Sequence, residues 1–167
     1  LAAAAMTSLN RRMEAGGQTG GWSAAMASCV LSRLRDGDRA YDRYRMLLTK
    51  GAFPNLLNGN PGFTSGRKLF QIDGNFGGTA AVIEMLLQSY NETIYVLPAL
   101  PAVWSSGHLH GIRAKGGFEI DVDWESHKAT RVVVRASRGG MCRIDMIGIA
   151  NCTITCDGER IAFTKDG

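Results

Sequence analysis

Phe70-Gln71-Ile72-Asp73-Gly74-Asn75-Phe76-Gly77-Gly78 joins a long polar, glycine-rich segment to a strongly apolar one. Apolar residues before and just after it recur at helical spacing, whereas beyond residue 91 they alternate with a period of two. Its glycines permit positive φ and close backbone approach. Its aspartate, at the mouth of the following helix, is favoured by the unsatisfied N–H groups there. Asp73 therefore reads either as a capping acid or as a functional carboxylate, and the rest of the chain must choose.

Working upstream, residues 52–69 are irregular, from Phe53-Pro54-Asn55-Leu56-Leu57 through Asn58-Gly59-Asn60-Pro61 to Lys68. Connections between bundle helices usually run about 2–8 residues, so a loop this long points to function. Before it, Asp38 is placed to cap a helix whose stripe is Ala40, Tyr41, Tyr44, Leu47 and Leu48, stopped at Gly51. Trp22, Met26, Val30 and Leu34 step by four, predicting a preceding helix with that face buried. Trp22 then reads as core, with stacking on a sugar as the alternative for Trp22 and Trp104. Residues 1–14 form an alanine-rich helix bearing Met6, Leu9 and Met13 on one side. The Gly16–Gly21 run after it lacks the Lys-Ser/Thr of a phosphate loop and reads as a connection.

Downstream, Val82, Ile83, Leu86, Leu87 and Tyr90 predict a helix over 79–90. The pattern then changes. Thr93–Leu97 reads as a strand, and Phe118, Ile120, Val122 and Trp124 alternate with Glu119, Asp121 and Asp123, giving a strand with one solvated acidic face. Further strands follow through 132–134, 142–146 and 152–156, before an Asp157-Gly158 turn. The fold class is thus α+β, with an all-helical part over 1–91 and an antiparallel β part over 92–167.

With 45% hydrophobic and 20% charged residues among 167, the chain is globular. A net charge of +4 without a basic run argues against nucleic-acid binding, and no apolar run approaches the roughly 20 residues that span a bilayer. His108 and His110 share a strand face with no third ligand nearby, and the four cysteines lack zinc spacing, so no metal or cofactor is expected. Cys152 and Cys156 lie about 13 Å apart along a strand and cannot bridge each other, while Cys142 could pair with either. The sequons Asn91-Glu92-Thr93 and Asn151-Cys152-Thr153 are compatible with an extracellular, secretory or periplasmic location. Beginning at Leu1 in the middle of a helical pattern, the chain reads as a piece of a longer protein.

Taken in order, several blocks resemble the C-terminal part of glycoside hydrolase family 95, the inverting α-L-fucosidases. They are Gly20-Gly21-Trp22-Ser23, Gly37-Asp38-Arg39-Ala40-Tyr41, Asn55-Leu56-Leu57 and Phe70-Gln71-Ile72-Asp73-Gly74-Asn75-Phe76-Gly77. Glu84–Ser89, Leu97-Pro98-Ala99-Leu100-Pro101 with Trp104, and Gly111–Phe118 follow, so the likeness covers most of 19–124. It implies the last helices of an (α/α)6 barrel followed by an antiparallel β domain, and a fucosylated oligosaccharide or glycan as substrate. It also implies that Asp73 is catalytic, polarising an asparagine amide that helps activate the attacking water. The family's general-acid glutamate and its water-activating asparagines would lie upstream of Leu1, in a missing N-terminal part, leaving the piece alone inactive. Asn60, aligned from Asn55, stands where the family carries a substrate-contacting histidine; counting back from Asp73 puts Arg67 there. Met26 stands where a tryptophan is usual. These departures leave an α-L-galactosidase, or a non-catalytic glycan-binding homologue, as alternatives.

Overall fold

The computed structural model describes residues 1–17, 20–61 and 68–164. Four helices come first: α1 (Ala2–Glu14), α2 (Gly21–Arg33), α3 (Gly37–Met46, prolonged by a π turn over Leu47–Gly51) and α4 (Ile72–Leu86). A short antiparallel ribbon, β1 (Gly59–Pro61) with β2 (Lys68–Phe70), lies within the segment expected to be irregular. Arg67 lies outside the described residues.

Helix α2 is the centre of the helical part, and small residues put it there. Ala24, Ala25, Ala27, Ser28, Leu31 and Ser32 are buried, whereas Trp22 is half exposed and Met26, Val30 and Leu34 are only partly covered. The buried face is therefore rotated away from the one the large apolar residues mark. Backbones approach most closely where side chains are smallest: a Cβ added at Gly77 of α4 would fall 2.6 Å from the Ala25 Cβ. Ser28 donates its hydroxyl to the Ala40 carbonyl at 2.8 Å, tying α2 to α3. One core cluster joins Leu9, Ala27, Leu31, Ala40 and Met85, and a second joins Ala24, Ala25 and Leu47. Leu48, expected in the stripe of α3, is 48% exposed because the π turn shifts it off that face.

The cap of α3 also differs. Asp36, not Asp38, accepts from the Arg39 N–H and supplies the N-cap. Asp38 instead accepts from the Ala102 N–H at 2.6 Å, so it holds the proline-rich segment that follows the first hairpin.

Helix α4 ends four residues earlier than the apolar spacing predicts. Leu86 and Leu87 are buried in either conformation, so a helix and a strand look alike there. Gln88 decides it. Its side-chain amide donates to the Glu84 and Ser32 carbonyls, taking over a carbonyl that a continuing helix would have used. The chain then enters β3 (Leu87–Tyr90), turns through Asn91 and Glu92, both at positive φ, and returns as β4 (Thr93–Val96). The backbone of that turn suits the right-handed strand twist.

A second sheet contains β5 (Gly107–Ala114), β6 (Phe118–Glu125) and β7 (Lys128–Ala136), all antiparallel. Phe118, Ile120, Val122 and Trp124 point into a core shared with Leu86, Leu87, Ile94, Val96 and Leu97. β8 (Arg143–Asp145) pairs with β4, and this pairing is parallel, which corrects the expectation of an all-antiparallel part. Residues 137–142 carry the chain from one sheet to the other, and strand periodicity says nothing about where such a connection lands. The final ribbon is β9 (Thr155–Cys156) with β10 (Glu159–Arg160), turning at Asp157-Gly158 as expected. All four cysteines are free thiols, so Cys142 pairs with neither candidate. Burial pushes the Cys29 and Cys142 thiols above their ordinary pKa.

An alternating stack fastens the hairpin to α2. Arg33 lies over the Tyr90 ring at 4.7 Å, Tyr90 stacks on Tyr95 at 4.5 Å, and Arg35 covers Tyr95 at 4.6 Å. Arg33 also forms a two-pronged bond to Glu84 on α4.

The acidic face of β6 is not uniformly solvated. Asp121 is only 6% exposed, held by Arg135 at 2.7 Å and by the Gly111 N–H at 2.8 Å. The Arg135 bond, followed by the Gly111 N–H, lowers the Asp121 pKa from 3.8 to about 2. A carboxyl held low favours the folded state above the unfolded value and loses that contribution as pH falls through the folded one. The melting temperature is therefore expected to drop between about pH 4 and pH 2, less steeply in Asp121→Asn. Equal slopes in a pair of thermal melts across that range would show that the ion pair contributes nothing.

Candidate active site

Three helix ends meet around one buried amide. The start of α2, the end of α3 and the first turn of α4 present Gly21, Gly51 and Gly74 to the side chain of Asn58, which is 2% exposed. A Cβ at Gly21 would fall 1.6 Å from Asn58 Oδ1, one at Gly74 2.3 Å from the same atom, and one at Gly51 2.9 Å from Nδ2. No other residue type fits there without moving Asn58. Asn58 Nδ2 reaches the Leu47 carbonyl at 3.5 Å, and its Oδ1 has no hydrogen-bond partner among the described residues. A buried acceptor left without a donor costs a fold about 1–3 kcal/mol.

Two further amides complete the junction. Asn75 Oδ1 accepts from the Asn58 N–H at 2.7 Å, and Asn75 Nδ2 donates to the Leu56 carbonyl at 2.9 Å. The Gln71 N–H donates to the Asn58 carbonyl at 2.9 Å, while Gln71 Oε1 accepts from the Trp22 N–H at 3.0 Å. The loop is thus pinned to the N-terminal ends of α2 and α4 by side chains on either side of Asp73.

Asp73 lies inside α4, in its first turn, rather than ahead of it. Gln71 occupies the N-cap position without a side-chain cap bond, so Asp73 is not the capping acid that one reading proposed. Its carboxylate is exposed and has no hydrogen-bond partner among the described residues, while the helix dipole favours a negative charge there. Nor do the neighbouring glycines serve positive φ. Gly74, Gly77 and Gly78 are helical and allow contact with Asn58, Ala25 and Leu47 respectively. Near Asp73 in the chain, Phe70, Ile72 and Phe76 are exposed, 68% in the case of Phe76, as is Trp22 in the first turn of α2.

Of the other candidates, Asn60 stands in β1 opposite Leu69, within the ribbon leading to α4. Trp104 packs edge-on against Tyr41, with ring centroids 5.4 Å apart, and belongs to the junction with the β part. His108 and His110 are exposed with rings 5.2 Å apart, and His110 pairs with Asp123. Among the described residues no group of three or more His, Cys, Asp or Glu side chains could hold a metal. Asn58, Gln71 and Asn75 were not singled out from sequence. The signal for Asn58 is scattered over Gly21, Gly51 and Gly74, which only the fold brings together.

Comparison with known proteins agrees with this layout. Residues 1–86 match the family model described as the glycosyl hydrolase family 95 catalytic domain, and residues 88–167 match the glycoside hydrolase family 95 C-terminal domain. Those two matches meet where α4 passes into β3. Alpha-L-fucosidase 2 of Arabidopsis thaliana is 31% identical over 99% of the chain, which covers 20% of that protein. Probable alpha-fucosidase A of Aspergillus oryzae is 30% identical over 64% of the chain, covering 16% of its length. The corresponding Aspergillus niger protein is 30% identical over 62% of the chain and 14% of its own length. The chain thus spans about a fifth or less of the relatives it matches.

Proposed function

Because the chain belongs to glycoside hydrolase family 95, we propose that it forms one wall of a site that releases terminal α-L-fucose from glycans with inversion. The observation that carries this reading is the Asp73 carboxylate, exposed and unpartnered among the described residues in the first turn of α4, with three amides bracing the backbone around it.

Inverting hydrolysis needs an acid to protonate the leaving oxygen and, on the opposite face of the sugar, a group that activates water, with room for that water between them. Asp73 acts on the water side. Its negative charge orients and polarises an asparagine amide contributed by the rest of the catalytic domain, and that amide's oxygen draws a proton of the attacking water. Positive charge develops on the sugar ring as the bond breaks, and a carboxylate on that side of the site favours that state electrostatically. The acid, a glutamate, likewise belongs to the rest of the domain, so the 167-residue chain alone turns nothing over. The exposed Phe70, Ile72 and Phe76, near Asp73 in the chain, suit a surface that the other barrel helices cover.

The test compares a complete catalytic domain containing this chain with the isolated chain, each supplied with an aryl α-L-fucoside. Fucose release by the first only, with the β-anomer appearing first by NMR, is the expected result. Release by the isolated chain, or first appearance of the α-anomer, would overturn the reading. Asn60 in place of the family's histidine favours a parallel assay on the α-L-galactoside. A faster rate there would reassign the sugar while keeping the mechanism. Glycan binding without turnover of either substrate would make the protein a binding homologue.

A further inference from the structure

We propose that Asn58 is the positioning residue of this site, setting where Asp73 stands by fixing the first turn of α4 against the start of α2. The inference rests on the reading of Asp73 as a functional carboxylate. Four observations converge on it. Asn58 is almost wholly buried, yet its Oδ1 has no partner among the described residues and its Nδ2 reaches only the Leu47 carbonyl, at 3.5 Å, so the amide fills the space more than it satisfies hydrogen bonds. Its cage consists of Gly21, Gly51 and Gly74, one from each of three helix ends, and Gly74 is the residue that follows Asp73. Its backbone N–H and carbonyl are bound by Asn75 and Gln71, the residues two places after and two places before Asp73. Gln71 in turn holds the N–H of Trp22, in the first turn of α2, by its side-chain oxygen.

This geometry makes Asn58 a spacer. Its width sets the gap between Gly21 and Gly74, and the backbone bonds on both sides transmit that gap to the peptide bearing Asp73. Shortening the side chain removes the spacer, and adding a methyl at Gly21 forces it aside. Either change displaces the carboxylate without touching it. A misplacement of about 1 Å at a catalytic group can lower turnover by roughly 100-fold.

The experiment uses the complete catalytic domain and the variants Asn58→Ala, Gly21→Ala and the double variant, each assayed well below its own melting temperature. Turnover per folded molecule is expected to fall about 10- to 100-fold in each single variant, with KM changed much less. The double variant should recover part of the Gly21→Ala loss, because the Asn58 Oδ1 and Cγ that the new methyl would meet at 1.6 and 2.7 Å are gone. Amide exchange at Gly74 and Asn75 should quicken in Asn58→Ala. If Asn58→Ala does not fold, Asn58→Ser takes its place with the same expectation.

Unchanged kcat per folded molecule, or a double variant as poor as the product of the singles, would make Asn58 a packing residue only. The exchange measurement separates the two readings. A wild-type domain inactive on fucosides, with Gly74 and Asn75 still loosened by Asn58→Ala, would sink the proposed activity and keep the spacer. Unaltered exchange would sink the spacer whatever the activity.

Discussion

Asp73→Asn, made in the complete catalytic domain, is expected to lower kcat by about 100-fold or more while moving the melting temperature little. The two halves of that expectation have separate causes. The substitution keeps the size and shape of the side chain and removes only its charge. The carboxylate is exposed and has no hydrogen-bond partner among the described residues, so folding loses only its interaction with the helix N-terminus, about 0.3–1 kcal/mol. In the proposed mechanism the transition state loses the group that polarises the water-activating amide, and 100-fold in rate is about 2.7 kcal/mol. A capping or dipole role would show the reverse pattern, with stability affected and rate preserved. Initial rates and a thermal melt on the same preparation decide between them: a rate within a few-fold of wild type would reduce Asp73 to a favourable charge at a helix start.

Trp124→Ala should be the most damaging single change in the β part, destabilising by about 3–5 kcal/mol. The ring is 7% exposed and fills the sheet core beside Ile120 and Val122. It also lies so close to Gly107 that a Cβ there would meet Cζ2 at 2.4 Å. Its Nε1–H donates to the Trp104 carbonyl at 2.9 Å, and the Trp104 ring stands edge-on to Tyr41 of α3. Removing Trp124 therefore opens a cavity and also frees the segment that docks the β part on the helices. Trp124→Phe separates the two contributions, since it keeps most of the burial and loses only the N–H, at about 1–3 kcal/mol for the carbonyl left unpaired. Urea unfolding followed by far-UV circular dichroism measures both. A loss below about 1 kcal/mol in Trp124→Ala would show that the core closes over the gap.

The division into helices and then strands was legible because helical and strand periodicities differ and the change is abrupt. The β6 alternation of Phe118, Ile120, Val122 and Trp124 against Glu119, Asp121 and Asp123 is found as read, except that Asp121 is buried. Its burial comes from Arg135 on β7 and the Gly111 backbone on β5, neither of which is a neighbour in sequence. The early end of α4 was hidden for a similar reason. Leu86 and Leu87 satisfy both patterns, and the Gln88 amide that takes the Glu84 carbonyl is held as well by the Ser32 carbonyl, distant in the chain. Likewise Trp22 looked like core because it is large, whereas α2 buries the alanine face that permits close packing.

At Phe70–Gly78, sequence by itself determined the family and the residues at stake: a carboxylate at a helix mouth, among glycines, in a distinctive order of blocks. Those are properties of residue type and chain order, and they need no coordinates. Only the tertiary structure decided what the glycines are for and what braces the backbone on either side of the carboxylate. Gly21, Gly51 and Gly74 are far apart along the chain and share one purpose, to admit the side chain of Asn58. A contact among three helix ends depends on how those helices pack, and local pattern, which reaches only a few residues in either direction, carries no record of it.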